Sequence, residues 1–261
     1  MAIVNVTPDS FSDGGSYNTV QSAIDHSLKA VEEGAAIIDI GGESTRPNAQ
    51  PVGASEEQDR VLPVIEALSG KTDALISIDT YRAKTAQLAI EAGAHIVNDV
   101  FGLQREPEIA DVVAKTGAGI CVMHTGRGRQ KLEDVIADQR TFLERSLQIA
   151  RLVSVRDESI VLDPGFGFNK ETSEENFALM ARFAKLHQFG FPLLVGTSRK
   201  RFLGVASGRQ EPSARDAATA ATSALLRMQG AAVFRVHNVA MNKDALAVAD
   251  AMLAAQTPEM N

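Results

Sequence analysis

The chain has 261 residues, of which 44% are hydrophobic and 23% are charged, enough to bury the core of one large α/β domain or two small ones. Its net charge of −7 and its lack of tryptophan argue against a nucleic-acid partner. No apolar run approaches the ~20 residues of a membrane-spanning helix, and we expect no signal peptide. The single cysteine, Cys121, excludes an internal disulfide framework, fits the reducing cytosol and is expected to pack in the core.

Eight short apolar runs predict strands that are buried on both faces, because they do not alternate with polar residues. In chain order they cover residues 2–6, 36–40, 74–78, 95–97, 119–123, 159–162, 192–195 and 232–236. Stretches of helical period lie between them, for example residues 19–33. Four of these stretches end in Gly-Ala just before the next strand, at Gly34, Gly93, Gly117 and Gly230. Glycine accepts positive φ after the last helical turn, so each pair predicts a helix end.

Two helix starts are predicted by capping boxes, in which a hydroxyl residue and a Glu or Gln three positions later exchange hydrogen bonds with the backbone. The boxes cover residues 55–58 and 172–175.

Eight strand–helix units in about 250 residues predict a (β/α)8 TIM barrel, an α/β fold, as a single domain over residues 1–261. A doubly wound open sheet is the alternative, although the glycine-rich nucleotide fingerprints that usually accompany it are missing.

Nearly every predicted strand is followed by polar or ionisable residues, where the active site of such a barrel lies. These residues are Asn5, the run 41–47 that contains Glu43, Ser44, Thr45 and Arg46, then Asp79, Asn98, Asp99, His124, Asp163, Ser198, Arg199, Lys200, Arg201, Arg235 and His237. Helix capping would account for some of the Asp, Asn and Ser residues. It does not account for Lys200, Arg235 or His237, so we interpret the set as a binding site.

Three groups within this set differ in chemistry. Asp79, Asn98 and Asp163 suit a flat heterocycle with amino and ring N–H groups, because a carboxylate can accept two hydrogen bonds from an amidine-like edge. A buried structural ion pair with Lys200 is the alternative. The second group contains two arginines, an imidazole and an amide and predicts an anion site, plausibly for phosphate: Asn5, Arg46, Arg235 and His237. Surface salt bridges are the alternative for its two arginines.

The third group is the run 198–201, Ser-Arg-Lys-Arg, at the start of a predicted helix. The helix dipole disfavours cations there, so the run predicts an anionic ligand or a carboxylate partner. Solvated surface charge is the alternative for Arg199 or Arg201, and less so for Lys200.

The segment from Asn5 to Gly15 follows the apolar stretch 2–4 and combines an amide, two carboxylates, three hydroxyls and Gly-Gly. This composition favours a mobile loop that closes on a metal and a polar substrate, with Asn5 and Asp13 as oxygen ligands for Mg²⁺. An ordinary turn is the alternative, since Pro-Asp-Ser and Asp-Gly-Gly are common turn formers.

Eight motifs together make the chain resemble the dihydropteroate synthase family over almost its whole length. In family order they are NVTPDSFSDGG (5–15), GGESTRP (41–47), SIDT (77–80), NDV (98–100), VMH (122–124), LDPGFGF (162–168), SRK (198–200) and RVH (235–237). The resemblance implies a homodimeric cytoplasmic enzyme of folate synthesis. It would transfer a pterinylmethyl group from 6-hydroxymethyl-7,8-dihydropterin pyrophosphate to 4-aminobenzoate and release pyrophosphate.

The resemblance also implies roles for individual residues. Catalysis would involve Asp79, Lys200, Arg235 and Asp13. The pterin would be bound by Asp79, Asn98, Asp163, Lys200, Arg235, Met123 and Phe168. Pyrophosphate would be held by Asn5, Arg46, Arg235 and His237, with Mg²⁺ on Asn5 and Asp13. The 4-aminobenzoate pocket, where sulfonamides would compete, would be formed by Phe11, Thr45, Arg46, Pro47, Phe168, Ser198 and Lys200.

The chain departs from the family pattern at a few positions. Asn238 stands where the family usually has Asp, while Ala2 and Asn48 each replace a usual Gly.

Three other functions stay open. A pterin-binding methyltransferase domain acting with a corrinoid protein would share the fold and the pterin-binding set Asp79, Asn98 and Asp163. A Schiff-base aldolase would use Lys200 as its nucleophile. An inactive pterin-binding homologue would have no chemistry at all.

Overall fold

The computed structural model describes residues 1–7, 15–43, 52–170 and 172–256, with the backbone alone for residues 15–19. The strands in these ranges are β1 (Ala2–Asn5), β2 (Ile37–Gly41), β3 (Leu75–Asp79), β4 (Ile96–Asp99), β5 (Gly119–Met123), β6 (Ile160–Asp163), β7 (Leu194–Val195) and β8 (Val233–Phe234). The helices are α1 (Gly15–Glu32), α2 (Ala54–Ser69), α3 (Ala83–Glu91), α4 (Glu108–Thr116), α5 (Val135–Leu152), α6 (Ser173–Ala181), α7 (Arg201–Ser207), α8 (Asp216–Met228) and α9 (Val239–Gln256). All eight predicted strands are confirmed, and a helix follows each of them. No helix within the described ranges is long and apolar enough to cross a bilayer.

The strands run parallel and keep their chain order. β1 to β6 form one sheet in the order of the sequence. A parallel bridge joins Leu162 in β6 to Leu193, and β7 pairs in parallel with β8. A doubly wound sheet contains a reversal of strand order, and these strands show none. The sequential α/β order is therefore that of a (β/α)8 barrel.

The chain contains two compact units. The first comprises residues 1–123 and 143–161, and the second comprises residues 124–142 and 162–261. The core of the first is built on strands buried on both faces, with Ile38, Ile76 and Val97 fully enclosed. Cys121 in β5 is buried, as predicted. Large enclosed side chains of the second unit include Phe166 and Phe183. The assignment of one domain to residues 1–261 stays a prediction.

Five of the six helix starts and ends predicted from the sequence are confirmed. The four Gly-Ala junctions all have positive φ at glycine, 104° at Gly34, 114° at Gly93, 74° at Gly117 and 91° at Gly230. Thr172 caps α6 in a complete capping box with Glu175. The box predicted at 55–58 is wrong, because α2 already begins at Ala54 with Gly53 as its N-cap and no side chain capping it.

Glu57, the third residue of that expected box, forms a buried polar centre instead. Its side chain is fully enclosed and accepts hydrogen bonds from the hydroxyls of Thr80 and Thr85, each at 2.8 Å. Arg82 Nη1 lies 3.0 Å from Glu57 Oε2. The carboxylate thus ties α2 to the segment that follows β3. Both carboxylate oxygens of Glu57 find partners in these tertiary contacts, as a buried carboxylate requires.

We expect Glu57→Gln to destabilise the protein by about 3 kcal/mol, because it removes one member of a buried charge pair and points an N–H₂ group at existing donors. Urea unfolding followed by circular dichroism measures the change. The control is Glu56→Gln in the same helical turn. Glu56 pairs with Arg60 but is 58% exposed, so its loss should cost about 0.5 kcal/mol. Equal losses in the two variants would contradict the role given to Glu57.

Candidate active site

A row of polar residues crosses the carboxyl edge of the first unit's sheet. The strand register places Asn5 beside Gly41, Gly41 beside Asp79, and Asp79 beside Asn98. A Cβ added to Gly41 would lie 3.8 Å from Asn5 Oδ1 and 3.7 Å from Asp79 Oδ2. The two side chains therefore approach each other over a glycine that leaves room between them. This row unites one predicted metal ligand with two predicted pterin ligands.

Asp39 lies one layer below that row and was not among the predicted site residues. It is fully buried in β2, two residues before Gly41. Asn98 Nδ2 donates to Asp39 Oδ2 at 3.1 Å, which fixes the orientation of the Asn98 amide. The signal was present in the sequence, since a carboxylate inside the apolar run Ile37-Ile38-Asp39-Ile40 needs a partner when buried.

Asp99 stabilises the turn after β4. Its Oδ1 accepts the N–H of Phe101 at 2.8 Å, and its Oδ2 accepts the N–H of Leu103 at 2.6 Å. Burial raises the pKa of Asp99 to about 6, and these two hydrogen bonds oppose the shift. Asp99 therefore binds the backbone of the loop that follows β4, directly after Asn98.

Asp163 and Lys200 lie together in the second unit. Asp163 ends β6, is 4% exposed and accepts the Gly165 N–H on Oδ1 at 2.7 Å. A Cβ added to Gly196 would lie 3.8 Å from Asp163 Oδ2 and 4.0 Å from Lys200 Nζ. Both charged groups therefore approach the same point beside β7. As with Gly41, a glycine places no side chain between the polar groups.

Burial dominates the electrostatics of these two groups. It raises the pKa of Asp163, and Lys200 is the strongest of the groups that oppose the rise. It lowers the pKa of Lys200 to about 7, with Arg235 and Arg127 adding to the fall and Asp163 opposing it. A carboxylate and an amine held in a weakly solvated environment favour a ligand that donates to one and accepts from the other.

Lys200 also contacts the loop that follows β6. Its Nζ donates to the carbonyl oxygen of Phe166 and lies 4.7 Å from the centre of the Phe168 ring. Arg127 Cζ lies 4.7 Å from the same ring. Phe168 thus forms an aromatic surface between two cations. Arg127 was not among the predicted site residues. It lies in a turn three residues after His124, and no sequence pattern distinguishes it.

Ser198 and His237 are joined directly. Ser198 Oγ lies 2.8 Å from His237 Nδ1, and the backbone N–H of His237 donates to Ser198 Oγ at 3.1 Å. The Arg235 N–H donates to the Val195 carbonyl at 2.9 Å, so Arg235 and His237 both follow the end of β8. The structure brings together one residue predicted for 4-aminobenzoate and one predicted for pyrophosphate.

His124 follows β5 but is engaged in a buried network. Its Nε2 lies 2.9 Å from Asp138 Oδ2, and its Nδ1 lies 3.2 Å from Lys170 Nζ. Arg129 contacts both oxygens of Asp138, at 2.8 and 2.6 Å. Burial lowers the pKa of His124 to about 4, so the ring is neutral. Lys170 also donates to the Gly165 carbonyl at 2.7 Å, which connects the network to the Asp163 turn.

The remaining predicted site residues divide into two sets. Met123 is buried as the last residue of β5. Five predicted residues lie outside the described ranges: Phe11, Asp13, Thr45, Arg46 and Pro47. Within those ranges, no group of three or more His, Cys, Asp or Glu side chains is arranged to hold a metal ion. The described residues therefore offer hydrogen-bonding carboxylates, cations and an aromatic surface.

Comparison with known proteins agrees with these features. The model of the pterin binding enzyme family matches residues 1–237. The chain is similar to the dihydropteroate synthase of Streptococcus pyogenes serotype M3, with 45% identity over 95% of this chain and 93% of that protein.

Two solved structures also match over nearly the whole chain. One is a dihydropteroate synthase from Clostridium difficile in the presence of pteroic acid, with a TM-score of 0.93 and 43% identity over 97% of this chain and 95% of that one. The other is the Xanthomonas albilineans synthase with 4-aminobenzoic acid, with a TM-score of 0.93 and 42% identity over 97% and 92% of the two chains. The predicted fold class is confirmed, and the chain belongs to the dihydropteroate synthases, a family of pterin-binding enzymes.

Proposed function

We propose that this enzyme joins the methylene carbon of 6-hydroxymethyl-7,8-dihydropterin pyrophosphate to the amino nitrogen of 4-aminobenzoate. The C–O bond to pyrophosphate breaks, a C–N bond forms, and the arylamine nitrogen loses one proton. The products are 7,8-dihydropteroate and pyrophosphate. Support comes from the related structures with pteroic acid and 4-aminobenzoic acid.

The observation that carries the proposal is the placement of Asp163 beside Lys200. One carboxylate oxygen is engaged by Gly165, and the other lies 3.8 Å from the Cβ position at Gly196, which is 4.0 Å from Lys200 Nζ. A pterin edge offers an amino group and a ring N–H to such a carboxylate, and its ring nitrogen and carbonyl can accept from an amine. The Phe168 ring and the Arg127 guanidinium supply flat surfaces of the kind that stack on a heterocycle.

The chain's own residues can support ionisation of the C–O bond before attack. Asp79 and Asn98 would bind the pterin ring, and the negative charge of Asp79 would stabilise the positive charge that develops there. Arg235 and His237, together with Arg46, would hold the departing pyrophosphate. Ser198 and Lys200 would orient 4-aminobenzoate, whose neutral amine attacks the methylene carbon. Sulfonamides carry a similar arylamine and would compete for this position.

A magnesium ion is part of the proposal. Asn5 supplies an amide oxygen beside Asp79, and Asp13 would add a carboxylate, which fits the oxygen ligands that Mg²⁺ takes in proteins. With no larger cluster of acidic or histidine side chains among the described residues, substrate phosphate oxygens would complete the coordination. When bound, the ion would neutralise negative charge on the pyrophosphate.

The deciding experiment measures pyrophosphate release from the pterin substrate, with and without 4-aminobenzoate and Mg²⁺. Release that depends on both, with dihydropteroate as product, supports the proposal. Pterin binding without release would instead favour the methyltransferase or the inactive binding homologue. A methyltransferase would in addition transfer a methyl group between methyltetrahydrofolate and a corrinoid.

We further propose a homodimer formed through α9. Met241, Val248 and Met252 recur at helical spacing and are 40%, 62% and 52% exposed, and Leu225 on α8 is 60% exposed. An apolar stripe of this kind on an exposed helix is typical of an interface, and the family resemblance indicates a second copy as its occupant.

Val248→Glu should convert the dimer to monomer and weaken association at least 100-fold, because dimerisation would bury the new charge. Sedimentation velocity measures the change. Leu152→Glu, at an 85% exposed leucine on α5, is the control and should leave association intact. A monomeric native protein, or dimers of equal strength in both variants, would contradict this interface.

We propose a cytoplasmic location, which is consistent with a lone buried cysteine.

A further inference from the structure

Arg199 has a backbone conformation that its side chain disfavours. Its φ is 58°, in the left-handed region, where a Cβ crowds the following carbonyl group. Asn, Asp and Gly tolerate this region far better than Arg does. Arg199 lies between Ser198 and Lys200, both of which belong to the site described above. Residues in such conformations persist only when the surrounding structure fixes them, and they concentrate at functional sites.

The start of α8 and the turn before it fix Arg199 through four hydrogen bonds. The Arg199 N–H donates to Thr219 Oγ1 at 3.1 Å, and the Arg199 carbonyl accepts from Arg215 Nη1 at 2.8 Å. The guanidinium donates to both oxygens of Asp216, from Nε at 2.6 Å and from Nη2 at 2.8 Å. Backbone and side chain of Arg199 are therefore held at the same time. We name this cluster of Arg199, Arg215, Asp216 and Thr219 the Arg199 brace.

The brace also reaches the residue after His237. Asn238 Nδ2 donates to Asp216 Oδ2 at 3.1 Å. Asp216 thus connects the segment after β7 with the segment after β8. One residue earlier in each segment, Ser198 Oγ and His237 Nδ1 lie 2.8 Å apart. Two adjacent links therefore hold the segments after β7 and β8 in register. One passes through the Asp216 carboxylate, outside the site, and the other is the Ser198–His237 contact within it.

The charges of the brace are those of an ionised pair. Hydrogen bonding from Arg199 lowers the pKa of Asp216, and Asp216 raises the pKa of Arg199. The two side chains are 14% and 28% exposed, so solvent weakens the pair only in part. The run 198–201 is predicted above to need an anionic ligand or a carboxylate, and for Arg199 that carboxylate is Asp216. Of the two arginines for which solvated surface charge is the alternative, Arg199 is paired with Asp216, whereas Arg201 is exposed.

We propose that Asp216 is a positioning residue: through Arg199 it orients Ser198 against His237 and directs Lys200 toward the Phe166 carbonyl and Asp163. Asp216 itself touches neither substrate. The inference deepens the proposed function and rests on it for its catalytic consequence. Its geometric part concerns the ligand-free protein and can be tested without turnover.

The first test compares Asp216→Asn with the double variant Asp216→Asn/Asn238→Asp. Asn238 contacts the same carboxylate, so the exchange returns a negative charge to the neighbourhood of the guanidinium. We expect Asp216→Asn to lower kcat/KM about 10- to 100-fold, as small displacements of positioned groups do. The double variant should recover most of that loss. Asp250→Asn, which removes the Arg227–Asp250 pair on α9 and α8, is the matched control and should change kcat/KM less than 2-fold.

The second test reads the site directly by ¹⁵N NMR of the His237 imidazole in the free protein, assigned by comparison with His237→Gln. Asp216→Asn should shift the Nδ1 signal because Ser198 Oγ moves away, and the double variant should restore it. An unchanged His237 signal in Asp216→Asn, or loss of activity without rescue, would overturn the positioning role. Failure of the native protein to make dihydropteroate would overturn the proposed function alone, because the His237 signal does not depend on turnover.

A third comparison tests whether the left-handed conformation of residue 199 contributes to the positioning. Arg199→Gly removes the side chain but leaves a residue that adopts φ near 58° without steric cost, whereas Arg199→Ala does not. We expect Arg199→Gly to retain several-fold more activity than Arg199→Ala. Equal losses would show that the left-handed conformation of residue 199 does not contribute to the positioning, contrary to the proposal.

Discussion

Replacing Lys200 with Met is expected to lower kcat/KM for the pterin pyrophosphate about 1,000-fold, the scale of removing a preorganised charge from a weakly solvated site. Lys200 Nζ donates to the Phe166 carbonyl, lies against the Phe168 ring and approaches Asp163 from within the same unit. Methionine keeps the length of the side chain but removes the charge and all three donors. Steady-state kinetics at fixed 4-aminobenzoate measures the loss. Lys185→Met, at an exposed lysine of the same unit, is the control.

The same residue predicts a pH dependence. The pKa of Lys200 is lowered to about 7 in the free protein, chiefly by burial, so the ammonium form is lost as the pH rises through 7. If the ammonium form binds the substrate, kcat/KM should fall tenfold per pH unit above that pKa. This limb should vanish in Lys200→Met. An activity that rises with pH through this range would instead fit a neutral amine, as a Schiff-base aldolase requires. Borohydride trapping of a carbonyl substrate on Lys200 would identify that case.

Asp79→Asn is expected to lower kcat about 100- to 1,000-fold while changing pyrophosphate affinity less than about 3-fold. Asp79 is only 9% exposed and stands in register with Gly41 and Asn98, so the amide should occupy the same place without its negative charge. The loss would then fall on the step in which the pterin ring becomes positively charged. Single-turnover rates give the first quantity and product inhibition by pyrophosphate gives the second.

Asp73→Asn serves as the control for this variant. Asp73 is exposed and precedes β3, whereas Asp79 ends that strand, so the two substitutions remove the same charge near opposite ends of one element. Asp73→Asn should leave kcat unchanged. Parallel losses of rate and of pyrophosphate affinity in Asp79→Asn would show that Asp79 contributes to anion binding or to folding rather than to stabilisation of the ring.

Local rules in the sequence accounted for the elements and their order. Apolar runs marked all eight strands, because strands buried on both faces are mostly apolar, and a polar residue inside one, such as Asp39, needs a buried partner. Gly-Ala pairs marked four helix ends, and the structure has positive φ at each of these glycines. Polar residues after the strands pointed to Asp79, Asn98, Asp163 and Lys200 as site residues. These signals depend on neighbours within a few positions, so they can be interpreted without a fold.

The sequence by itself determined the fold class, the strand ends and the chemical types present at them. Only the tertiary structure decided which groups become partners. Arg199 binds Asp216, 17 positions away, and Arg127 lies against Phe168, 41 positions away. Glu57, which lies between the two residues of the expected capping box, accepts hydrogen bonds from Thr80 and Thr85. The physical reason is that a buried charge takes whichever partner the packed chain brings within about 3 Å, and that distance depends on how all the strands and helices assemble.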